Sequence, residues 1–66
     1  MRRSYRTLSA LLAALEDTER QIVALHALSG LKHREIAEMM KMPLPTVLSK
    51  YHRAMKKLRL AWKEAQ

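Results

Sequence analysis

The run Arg34-Glu35-Ile36-Ala37-Glu38-Met39-Met40-Lys41-Met42-Pro43-Leu44-Pro45-Thr46-Val47-Leu48-Ser49-Lys50-Tyr51-His52-Arg53-Ala54-Met55-Lys56-Lys57-Leu58 sets the architecture expected of this chain. It holds two patterns with helical periodicity, parted by a few residues. The first ends at Met40. The second begins near Pro45, where a missing N–H costs little and the fixed φ is already helical. From there the apolar positions Val47, Tyr51, Ala54, Met55, Leu58, Ala61 and Trp62 fall within about 120° of arc at helical spacing. Ser49, Lys50, His52, Arg53, Lys56, Lys57, Arg59 and Lys63 take the opposite side. Leu48 lies at the edge of the apolar stripe, and Leu60 sits among the cations. Helix, tight turn, basic helix is the layout of a helix-turn-helix DNA reader.

Upstream, the same reasoning gives two more helices. Leu8, Leu11, Leu12 and Leu15 follow the i, i+3, i+4, i+7 rule and form one apolar face. Asp17 or Thr18 is positioned to cap the next helix, and Glu19 in its first turn suits the positive end of the helix dipole. Ile22, Leu25 and His26 share a face there, with Val23 and Leu28 at its edges. Ser29-Gly30 ends that helix, since Gly30 is free to turn left-handed. In the third helix Leu31, Ile36, Ala37 and Met40 face inward. No stretch alternates with period two. The expectation is therefore an all-α, four-helix helix-turn-helix domain, with helices at about 5–15, 18–28, 32–40 and 45–63 and a frayed start at 1–4.

Composition narrows the function. The chain has 66 residues, one domain at most, with a core small enough to need good helix packing or a partner. Self-association is left open. It has no Cys, which excludes disulfides and thiolate zinc sites. His26, His33 and His52 lack ligand spacing, so neither a metal nor a cofactor is expected. No stretch resembles a signal peptide or is long and apolar enough to span a bilayer. The expected location is the cytoplasm. The net charge of +7 is uneven: residues 41–66 hold seven Lys/Arg against one acid. Such a patch favours a polyanion, nucleic acid before an anionic membrane. The fourth helix could lie on a membrane surface by its amphipathicity, but its apolar stripe is needed to pack the other helices. No carboxylate pair, nucleophile with a base, or Gly-rich phosphate loop is present, so an enzyme is not expected. Trp62 and the methionines Met39, Met40 and Met42 read as ordinary core, Trp62 closing the last helix onto the first.

Residue by residue, Leu15 to Leu58 resembles region 4, the C-terminal domain of bacterial sigma-70-family RNA polymerase sigma factors, with the extracytoplasmic-function type the better match. The resembling residues are Arg20, Val23 and Leu25, then Gly30-Leu31, then Glu35-Ile36-Ala37-Glu38. In the last helix they are Thr46-Val47, Ser49, His52-Arg53-Ala54 and Lys56-Lys57-Leu58. This ending favours the sigma type over the response-regulator type of helix-turn-helix.

The resemblance implies that the last helix enters the major groove of a promoter −35-like element, and that apolar surfaces dock the β-subunit flap of RNA polymerase. It further implies that Thr46, Ser49, Lys50, His52 and Arg53 meet DNA, with Lys50 or Arg53 on guanine or phosphate. Lys56 and Lys57 suit phosphate, as does Arg34 at the start of the third helix. An anti-sigma or co-sigma protein is a further kind of partner. A complete sigma factor also carries a domain that melts the −10 element. The chain therefore reads either as part of a larger factor or as a stand-alone region-4-like protein.

The sequence departs from the family pattern in five places. Lys41 stands where the family commonly has Gly, and a left-handed turn there costs a non-Gly residue about 1–2 kcal/mol. Lys32 and Pro43 stand where Ser commonly caps, at about 1 kcal/mol per lost cap. Leu48 replaces a frequent Lys. Leu44-Pro45 replaces a polar pair. Leu44 and Leu48 suit either thymine methyls or a protein surface. The alternative function is therefore a sigma-mimicking module that binds polymerase or a regulator without reading bases.

Overall fold

A computed structural model describes residues 11–65, and side chains as far as Lys63. The expected helix before residue 11, with Leu8 and the frayed start, lies outside the described residues. Within them every regular element is helical. Helical backbone at 11–13 (α1) closes in a turn, where Leu15 N–H reaches the Leu12 carbonyl at 3.2 Å. Then come α2 (Asp17–Ala27), α3 (His33–Met40) and α4 (Leu44–Ala65). The all-α helix-turn-helix architecture stands, with boundaries within two residues of those expected for α2, α3 and α4.

Each boundary has a local cause. The residue that caps α2 is Glu16, not Asp17 or Thr18. Its N–H donates to Oε1 of Glu19 at 2.9 Å, which pulls the start one residue earlier. α3 begins the same way: Lys32 N–H donates to Oε1 of Glu35 at 2.8 Å. The cap expected to be lost at Lys32 is thus half recovered, because the acid at the third helical position reaches back. At α4 the demand for a cap is small. Pro45 brings no N–H, and Thr46 and Val47 both donate to the Pro43 carbonyl, at 3.0 and 3.2 Å.

The helix ends use left-handed residues. Gly30 has φ 72°, and beyond it Leu31 N–H bonds the Leu25 carbonyl at 3.1 Å. After α3, Lys41 sits at φ 54°, ψ 46°. Met42 N–H then reaches back to the Ala37 carbonyl at 2.9 Å, and Lys41 N–H to Glu38 at 3.3 Å. These are the paired bonds of a Schellman motif, which normally uses Gly at the left-handed position.

The core lies where α4 packs on both α2 and α3. Ile22, Ile36, Ala37 and Val47 form its buried cluster, and Leu25, Leu31, Met40, Met42, Leu44 and Tyr51 pack around it. Ala37 is buried opposite α4, where its small side chain permits close approach. Leu15 and Ala54 are also buried.

Several apolar residues do not join this core. Trp62 is 50 % exposed, so it does not bury itself as an anchor at the end of α4. The first helix, onto which it was expected to close, lies largely outside the described residues. Met39 is 61 % exposed because it lies about 60° round from Ile36, on the Glu35 side of α3. Leu12 and Leu28 are exposed as well, Leu28 because the chain has already left α2 there.

Candidate nucleic-acid interface

The turn at Lys41 brings the start of α4 beside the start of α3. Arg34 is exposed in the first turn of α3. It lines an open concavity of about 480 Å³ with Lys32, His33, Glu35, Leu44 and Leu48. On the other flank of α4, Pro45, Thr46, Ser49, Lys50 and Arg53 line a second concavity of about 330 Å³. His52 and Lys56 are exposed along the same helix, away from the core. The expected contact residues therefore divide between two hollows and the ridge that parts them. One hollow carries the apolar pair Leu44 and Leu48. The other carries hydroxyls and cations.

Lys57 is different. Its Nζ lies 2.8 Å from Oε1 of Glu19, in an ion pair that ties the second half of α4 to the first turn of α2. The Glu19 side chain is fully buried. Burial alone would push its carboxyl up. The Lys57 hydrogen bond, the Glu16 N–H and the positive charges of Lys57 and Arg53 outweigh that and hold it below its ordinary value. Oε2 of Glu19 is buried without a hydrogen-bond partner. The sequence placed Glu19 only at the helix dipole. The missed signal is its spacing: Glu19 is three residues before Ile22, on the face that α2 buries.

A second unanticipated feature joins α2, α3 and α4. The rings of His26 and His33 stack with centroids 4.3 Å apart and planes 14° apart. Tyr51 of α4 meets both edge-on, at 5.1 and 4.7 Å. His26 Nδ1 lies 2.9 Å from the Leu31 carbonyl, an acceptor, so this nitrogen carries the proton and donates. Nδ1 of His33 is buried and unpartnered. Burial first, then the positive potential of His26 and His52, lowers the His33 pKa below its ordinary value. Two near-parallel rings direct their nitrogen lone pairs along parallel planes, not toward one ion. Among the described residues no group of three metal-ligating side chains forms.

A short turn between α3 and a long cationic helix, with side chains of both starts around shared hollows, defines a helix-turn-helix domain of the DNA-binding class. The family description "Sigma-70, region 4" matches residues 5–58. The chain belongs to the sigma-70 region 4 family, a non-enzymatic family of transcription domains that engage DNA and RNA polymerase. The match begins ten residues before Leu15, where the residue-by-residue resemblance started. Comparison with curated proteins and with solved structures gives no match. Among the described residues, no helix is long and apolar enough to cross a membrane.

Proposed function

We propose that this chain works as a single DNA-binding domain of the extracytoplasmic-function sigma type, in the cytoplasm, with α4 in the major groove of a −35-like promoter element. The observation that carries the proposal is the shared hollow of Thr46, Ser49, Lys50 and Arg53 on the solvent side of α4. Hydroxyls and cations grouped in this way suit base edges and adjacent phosphates. Arg34, at the start of α3, and Lys56, further along α4, supply phosphate contacts, and His52 adds a polar edge on the exposed face. Apolar surface docks the β-subunit flap of RNA polymerase, with an anti-sigma or co-sigma protein as a further partner.

Binding to duplex DNA across a range of salt concentrations tests this reading. Each neutralised phosphate adds about 0.9 to the slope of log affinity against log salt. A flat response overturns it.

A second reading is favoured by the other hollow, whose floor includes Leu44 and Leu48 at the end of α4 that would enter the groove. On that reading the domain binds polymerase or a regulator without reading bases. Capture of the polymerase flap that survives Arg53→Ala but fails with Leu48→Asp supports it. Equal loss with both changes opposes it.

A further inference from the structure

Glu19 is the one buried charged side chain among the described residues, and DNA binding gives it no part. Its partner does belong to the cationic helix. At helical spacing Thr46, Lys50, Arg53 and Lys57 fall within about 60° on one flank of α4. The first three line a solvent-facing hollow. Lys57 continues their stripe, but its ammonium is turned onto Oε1 of Glu19 at 2.8 Å. The same oxygen accepts the Glu16 N–H at 2.9 Å, which fixes the carboxylate at the N-terminus of α2. The buried carboxylate thus holds Lys57 where a duplex laid along the stripe would offer a phosphate.

We propose that Glu19 is an internal stand-in for a DNA phosphate: it retains Lys57, and so limits the number of phosphates that α4 neutralises. The inference rests on the DNA-binding reading above. The competition is unequal. Removing Lys57 from Glu19 would leave an unpaired charge in the interior, which is strongly destabilising. A phosphate at the surface is solvated and screened by salt, and cannot offset that loss. Arg53, one turn earlier, adds to the positive field at Glu19. Lys57 therefore positions α4 on α2 while Lys50, Arg53 and Lys56 remain for DNA.

The test is the salt dependence of duplex binding by the wild-type chain, Glu19→Gln, and the double variant Glu19→Gln with Lys57→Met. Glutamine keeps an oxygen for the Glu16 N–H and removes the charge that holds Lys57. The slope for Glu19→Gln is expected to steepen by about 0.9, one phosphate more, and to return to the wild-type value in the double variant. Loss of packing alone would lower affinity without steepening the slope. A Glu19→Gln slope equal to wild type overturns the proposal, as does a steepening that persists without Lys57. Circular dichroism establishes first that the variants fold. If they do not, nitrogen-15 NMR of the wild-type Lys57 ammonium decides. Its signal is expected to keep its position when duplex DNA is added, and a shift like that of Lys56 overturns the proposal. Wild-type binding without salt dependence would instead overturn the DNA-binding reading itself, and this proposal with it.

Discussion

His26 and His33 face each other ring on ring, 4.3 Å apart, across the turn that joins α2 to α3. Two imidazoles at that distance cannot both carry a charge without repulsion. His33 adds a buried Nδ1 with no partner, and His52 stands nearby on α4 behind Tyr51. Arg34 beside His33 is exposed, and the carboxylate of Glu35 is committed to the Lys32 N–H. The site therefore disfavours a charge on the His33 ring.

Stability is expected to depend on pH in one direction. The His33 pKa is lowered in the folded chain from an ordinary value of 6.5. Below that value the unfolded chain takes up a proton that the folded chain resists. The stabilisation is fully present above pH 6.5 and is lost as pH falls toward the folded pKa. Urea unfolding at pH 7.5 and at pH 5.5 is expected to give a lower midpoint at the acid value. His33→Phe keeps a flat ring and is expected to shrink the difference. An unchanged difference would move its origin to another group.

Lys41 offers a gain in stability. It is the only non-glycine residue with positive φ among those described, at 54°. The backbone bonds of the Schellman turn do not involve its side chain, which is exposed. Replacing it with Gly removes a strain of about 1–2 kcal/mol, less the extra freedom the unfolded chain gains. A net stabilisation of about 1 kcal/mol is expected for Lys41→Gly in thermal or urea unfolding. A loss would mean that the Lys41 side chain makes a stabilising contact.

These positions differ in how far the sequence announced them. The order of the helices was legible because it rests on local signals: apolar spacing, Gly30 at one end, Pro43 and Pro45 at another. The strain at Lys41 was legible only through the resemblance, which marks that position as one where the family commonly has Gly. The Glu19–Lys57 pair was not, because the two residues stand 38 apart and meet only once α4 has packed on α2. The His26–His33 stack also needs the docked position of Tyr51. Burial at the C-terminal end of α4 differs from the expectation for a related reason. Periodicity places Trp62 on the inner stripe, but whether anything lies opposite depends on how far the neighbouring helices extend. In the candidate interface, helical spacing separated the cations from the core correctly. It could not show that one of them, Lys57, has an internal partner.

The small core makes single truncations severe. Ile36 is fully buried and packs with Ile22, Ala37 and Val47. Ile36→Ala is expected to cost about 2–5 kcal/mol through lost transfer energy and the cavity left behind. That is comparable with the whole stability of a small domain. Circular dichroism at 25 °C is expected to show a largely unfolded chain, whereas Ile36→Val, at about 0.5–1.5 kcal/mol, stays folded. Equal stability of the two variants would mean that this site collapses around the gap.

Arg53 and Lys56 separate base reading from charge. Both are exposed on α4, but Arg53 shares the hollow with Thr46, Ser49 and Lys50, while Lys56 is not among its lining residues. An arginine seated among hydroxyls can fork onto a guanine edge, whereas a lysine at the rim meets phosphate as a point charge. Arg53→Ala is expected to weaken binding to the preferred duplex by about 1–3 kcal/mol and to relax the preference at one base pair. Lys56→Ala is expected to weaken binding to every duplex alike and to reduce the salt slope by about 0.9. Binding of both variants to a set of duplexes, each changed at one base pair, distinguishes the two roles. If Arg53→Ala weakens all duplexes equally, Arg53 is a phosphate contact and base reading passes to Thr46, Ser49 or Lys50.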